Sequence, residues 1–268
     1  MPPKPSVYYR PQSLSEALKY LEQPDAKPLG GGTKLIAGGF SGAAVDLQDI
    51  GLSTLDYAGG KLIVGAMTKL VDLSEYISEK VLPSNPEDDA GAGRLLLGAI
   101  HRAGPNTYRN MATMGGMLAS RLPDSEFQAA LLVLEAEIIL ADGSIIMSTD
   151  FINTSSLQGG LIVEVQIPWI SGRSAAERVA RTPADYPIVS ITVFQPQSDA
   201  IRLASTGIDD VPVRLSEAEM ILRSKGGHEE AAAAARNRSR HPGDFRGGAE
   251  YRAEMAYVLT KRALMALS

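Results

Sequence analysis

The sequence predicts mixed α/β architecture in two domains, residues 1–172 and 173–268. Three observations carry this. Over the first hundred residues helices and strands follow in the order αβαβ with a hairpin, an α/β pattern. Leu161, Val163, Val165 and Ile167 then alternate with Glu164 and Gln166 in a half-buried strand that stops at Pro168. Beyond it, residues 171–187 turn polar and irregular, which marks a boundary.

Ser13 and Glu16 form a capping box, so a helix starts there and carries Leu14, Ala17, Leu18 and Leu21 on one face. A short strand over 27–29 runs into Gly30, Gly31, Gly32 and Thr33, and a second strand covers 44–47. Residues 55–65 read as a hairpin turning at Gly59-Gly60. Helices follow over 68–78 and 88–103, and another over 126–132. A strand over 136–140 ends at the Asp142-Gly143 turn. In the second domain, strands are expected over 189–194 and 201–206, and helices over 216–223, 231–235 and 249–267.

Composition removes several classes of function. The net charge of −5 lacks the basic footprint of a general nucleic-acid binder. Cysteine is absent, which excludes disulfides and any iron–sulfur cluster held by this chain. The most apolar window, 129–141, is short and interrupted by Glu135 and Glu137, so no membrane span is expected. The N-terminus lacks the apolar core of a secretory signal, which points to a cytoplasmic protein. His101, His228 and His241 are scattered without metal or triad spacing. A basic cluster of Arg236, Arg238, Arg240, His241 and Arg246 is a candidate partner surface.

The chemistry concentrates in two glycine sites. Gly30 to Thr33 offers backbone N–H groups and a hydroxyl to one anion, and Thr113, Gly115 and Gly116 offer a second such nest. Two nests in one domain suit a pyrophosphate. The first site lacks both the Gly-Lys-Ser/Thr ending of a P-loop and the glycine spacing of a Rossmann opening.

The chain resembles the FAD-binding (medium) subunits of the molybdenum hydroxylase family, the flavoproteins of carbon monoxide dehydrogenase and xanthine dehydrogenase type. The resemblance lies in Tyr8-Tyr9-Arg10-Pro11, in the run from Leu29 to Leu35, in residues 62–68, in the run from Arg109 to Gly116, and in residues 177–189 and 244–264. It implies an α+β protein: a two-lobed α/β FAD-binding domain (PCMH-type), then a small C-terminal α+β domain with an antiparallel sheet. It implies FAD in the cleft between lobes, with Leu29, Gly30, Gly31, Gly32, Thr33, Lys34 and Leu35 on one side and Thr113, Gly115 and Gly116 on the other. Electrons would arrive from the clusters of a 2Fe–2S small subunit fed by a molybdopterin-binding large subunit, and leave for an external acceptor. The chain would then be an oxidoreductase subunit in a hetero-oligomer, without nucleic-acid or membrane partners.

Three positions depart from the family pattern. Met117 stands where an Asn is usual, Glu126 where a cofactor-supporting Asp is usual, and Arg178 where a Lys near the flavin ring is usual. Ile162, on the alternating strand, is a further candidate flavin contact. The departures leave an alternative open, a degenerate structural or assembly subunit without flavin. No residue reads as a general acid, base or nucleophile. A covalently attached flavin has no tether, since no Cys exists and no His lies in either loop.

Overall fold

The computed structural model describes residues 3–84, 91–154, 160–197 and 199–267. It contains three main sheets, each with its own apolar core. The first lobe holds a parallel sheet of β1 (Val7–Tyr9), β2 (Lys27–Leu29) and β3 (Ala43–Asp46), ordered β1-β3-β2. Helix Leu14–Leu21 covers it through Ala17, which packs with Val45 and Leu47. The Ser13 hydroxyl caps that helix by accepting from the Glu16 amide at 3.2 Å. The Glu16 carboxylate accepts from the Gln12 amide at 2.9 Å, one residue earlier than the expected capping box requires.

The second lobe is a five-stranded antiparallel sheet of β4 (Leu55–Ala58), β5 (Lys61–Gly65), β6 (Glu137–Leu140), β7 (Ile145–Met147) and β8 (Ile162–Pro168), in the order β4-β5-β8-β6-β7. The hairpin between β4 and β5 turns on Gly59 and Gly60, both at positive φ (59° and 71°) as a tight two-residue turn demands. Helix Ala92–Arg102 packs on this lobe; the first residues of the expected helix over 88–103 lie outside the described ones. Helix Glu126–Val133 is buried on every side, because it wedges between the second lobe and the next sheet.

The C-terminal sheet is antiparallel, ordered β12-β11-β10-β9 from β9 (Gly172–Val179), β10 (Val189–Pro196), β11 (Arg202–Thr206) and β12 (Val213–Arg214). Strand β9 corrects the sequence reading. Residues 172–179 are not irregular: they pair along the whole of β10, from Gly172 opposite Pro196 to Val179 opposite Val189. Its side chains (Arg173, Ser174, Ala175, Ala176, Glu177) lack the apolar contrast that reveals a strand, and it lies at the sheet edge. Helices Ser216–Arg223, His228–Asn237 and Ala249–Ala266 close this domain. No helix among the described residues is long and apolar enough to cross a membrane.

Arg252 locks the domain. It is fully buried and donates to the carbonyls of Ile188 (2.6 Å), Gly207 (2.7 Å) and Gly247 (3.1 Å) and to the Asp244 carboxylate (2.6 Å). Burial of Asp244 opposes its charge, but hydrogen bonds from Arg252 and Arg246 win and hold its pKa below the ordinary carboxylate value. The stability this gives is complete above the unfolded-state pKa and fades as pH falls toward the depressed folded one. Arg252→Ala leaves three carbonyls without this donor and takes one of the two arginines from Asp244, which keeps Arg246, so a loss of about 3–5 kcal/mol is expected, read as a lower urea midpoint. In Asp244→Asn, the part of the stability lost below about pH 4 that comes from this group disappears, measurable by urea titration at stepped pH.

Candidate functional site

The first glycine run leaves β2 and lies directly against the segment leading into the second. A Cβ on Gly31 would stand 1.6 Å from the Met111 carbonyl oxygen, so only glycine allows this approach. A Cβ on Gly30 would stand 2.7 Å from the Thr113 hydroxyl. Gly32 takes φ +70°, which turns the chain into the short helix Leu35–Gly38. Among the described residues, the amides of Gly30, Gly31, Gly32, Thr33 and Lys34 donate no hydrogen bond to the rest of the chain. These half-buried, unpaired donors side by side have the chemistry of an anion nest.

The second glycine site differs from the expectation of a matching open nest. It opens a helix, Met114–Ser120, whose N-cap Thr113 accepts from the Gly116 amide at 3.2 Å. The Met114 and Gly115 amides donate to the carbonyls of Thr68 (2.9 Å) and Ala66 (2.8 Å), and the Met117 amide donates to Thr113 (2.9 Å). Those donors are spent holding the helix to the second lobe. What the segment contributes to the lining is a wall of small residues, Thr113, Gly116, Ala119 and Ser120, and the Thr113 amide, which has no partner among the described residues.

A cleft runs between the two runs. One part, about 420 Å³, is lined by Gly30 to Leu35, Thr113, Gly116 and Ser120. A neighbouring part of about 620 Å³ includes Leu29, Ile36, Tyr108 and Met111. Its narrow inner end is apolar, with Ala66, Met67, Leu161 and Ile162. The structure thus gathers Leu29 to Leu35, Thr113, Gly115, Gly116 and Ile162 around one space.

Met117, Glu126 and Arg178 do not line it. Met117 is buried, its sulfur 3.1 Å from the Tyr108 hydroxyl. Glu126 and Arg178 face each other: Glu126 accepts from Arg102 Nε at 2.8 Å, while Arg178 Nε stands 3.5 Å from its other oxygen, an ion pair outside hydrogen-bond geometry. Arg178 also donates to the carbonyls of Pro183 (3.2 Å) and Asp185, which fixes the turn after β9.

Sequence reasoning missed Tyr108 and Tyr186. The Lys34 ammonium lies 5.7 Å from the centre of the Tyr108 ring and 5.5 Å from that of Tyr186. Burial raises both phenol pKa values, that of Tyr186 to about 12, so both rings are neutral at physiological pH. Only the long-range fold unites these positions, and no spacing signals them.

Residues 4–170 match the family described as FAD binding domain in molybdopterin dehydrogenase, and residues 176–267 match the CO dehydrogenase flavoprotein C-terminal domain. The chain belongs to this flavoprotein family. Its cofactor is FAD, and it is an oxidoreductase subunit.

The flavoprotein is 30% identical over 293 residues to the glyceraldehyde dehydrogenase medium chain of Sulfolobus acidocaldarius, covering 98% of each chain. It is 30% identical over 284 residues to the carbon monoxide dehydrogenase medium chain of Afipia carboxidovorans, covering 96% of this chain and 94% of that one. Among solved structures, carbon monoxide dehydrogenase from Hydrogenophaga pseudoflava superposes with a TM-score of 0.84 at 26% identity, over 100% of this chain and 98% of that chain. The α+β class and the antiparallel C-terminal sheet agree with that likeness.

The unpaired amides of Gly30 to Lys34 suit the chemistry of a diphosphate. Gly31→Ala drives the two runs apart, and FAD affinity is expected to fall at least about tenfold by titration while far-UV circular dichroism keeps its helix signal.

Proposed function

We propose that this flavoprotein seats the FAD diphosphate on the amides of Gly30 to Lys34, opposite Thr113 and Gly116, and relays electrons within a larger complex. Electrons come from the clusters of a 2Fe–2S small subunit, fed by a molybdopterin-binding large subunit, and pass to an external acceptor. The observation that carries this reading is the row of amides without a partner among the described residues, in a loop that lines a cleft opposite Thr113 and Gly116. FAD, when bound, supplies the redox chemistry; the chain binds, orients and shields it.

Leu29 and Leu35 flank the amides, while Ile162 and Met67 offer apolar contact further in. Glu126 and Arg178 act indirectly in this reading. They join the second lobe to the turn after β9 and so hold the cleft's far side in place. Met117 supports Tyr108 from behind. The absence of cysteine fits a division of labour in which another chain carries the clusters. The carbon monoxide dehydrogenase and glyceraldehyde dehydrogenase relatives are medium chains, which agrees with a hetero-oligomer.

The test is co-expression with a candidate iron–sulfur subunit and molybdopterin subunit. The three chains are expected to copurify with one FAD per copy of this chain and to bleach the flavin absorption when substrate is added. A flavin-loaded chain that never copurifies with such subunits, or whose flavin stays oxidised in the complex, contradicts the relay.

A further inference from the structure

Lys34 belongs to the first glycine run, and its side chain reaches Tyr108 and Tyr186. Its ammonium stands within about 6 Å of two aromatic rings, the distance at which a cation is drawn to a ring face. Tyr108 belongs to the short helix Asn106–Arg109 of the second lobe. Tyr186 lies between β9 and β10, in the C-terminal domain, and its hydroxyl donates to the Ala103 carbonyl at 3.2 Å. One ammonium therefore touches three parts of the molecule: the loop of unpaired amides, the second lobe and the C-terminal domain. Arg178, the cation that the family resemblance implied near the flavin, is committed to Glu126 and to two carbonyls of its own turn.

We propose that Lys34 is the positioning cation of this cleft: its ammonium latches the first glycine run to Tyr108 and Tyr186 and sets a positive charge beside the unpaired amides. The latch stands on the ring geometry alone. The use of its charge, to draw the FAD diphosphate, rests on the function proposed above. A neutral side chain of similar length keeps the apolar contact and loses the attraction to the rings, whereas arginine keeps the charge and stacks on them as well.

The experiment compares the full chain with Lys34→Met and Lys34→Arg. Without FAD, trypsin cleavage after the exposed Arg181 is the readout of opening of the 181–187 turn, where the Asp185 carboxylate holds the Thr182 amide at 3.1 Å. The Met variant is expected to be cut about fivefold faster than the parent, and the Arg variant at the parent's rate. With FAD, titration at low and high salt is expected to show weaker binding and a flatter salt dependence in the Met variant, with both restored in the Arg variant. A purely structural lysine would not move the salt slope. Cleavage of the Met variant at the parent's rate overturns the latch. If the parent binds no FAD at all, the charge role and the flavin reading fall together, while the cleavage contrast still decides the latch.

Discussion

The close approach of Gly31 to the Met111 carbonyl is the constraint on which the rest of the structure depends. With no Cβ at that position, a loop from the parallel sheet of the first lobe lies directly against backbone of the second. Among the described residues its amides find no partner, and the loop lines the cleft. Burying five unpaired N–H groups without compensation would be costly. The arrangement is sustained because the loop stays half-exposed, where water or an anion satisfies them. A site that needs donors and a fold that leaves donors over are here the same feature.

Around it the chain divides the work unequally. The first run supplies donors, while the second spends its donors on Thr68 and Ala66 and so becomes a rigid wall. Helix Glu126–Val133 and the Arg102–Glu126–Arg178 group tie that wall to the C-terminal sheet. A buried charge group of this kind is poor evidence for stability, since desolvation offsets much of the attraction. Its value here is geometric, because it fixes where the turn carrying Tyr186 sits.

Much of this was legible in the sequence. The Ser13 cap, the Gly59-Gly60 hairpin and the alternating strand ending at Pro168 are local signals, and local chemistry decides them. The glycine run at 30–32 was visible because positive φ and close approach leave a compositional trace. Strand β9 escaped because an edge strand of Ala, Ser, Arg and Glu shows no apolar alternation; its partner β10 creates it. Helix Met114–Ser120 escaped because Gly115-Gly116 reads as a turn, and tertiary hydrogen bonds to the second lobe override that preference. The mutual pairing of Glu126 with Arg178 and the gathering of Lys34, Tyr108 and Tyr186 depend on long-range packing, which no single-sequence spacing encodes.

The most direct measurement is calorimetric titration of the full, flavin-free chain with FAD and, separately, with riboflavin, which has the same ring but no phosphate. Anchoring on backbone amides predicts that FAD binds at least about a hundredfold more tightly and that added salt weakens FAD far more than riboflavin. Equal affinity for the two, unaffected by salt, would show that the ring rather than the diphosphate is what the glycine runs were built to hold.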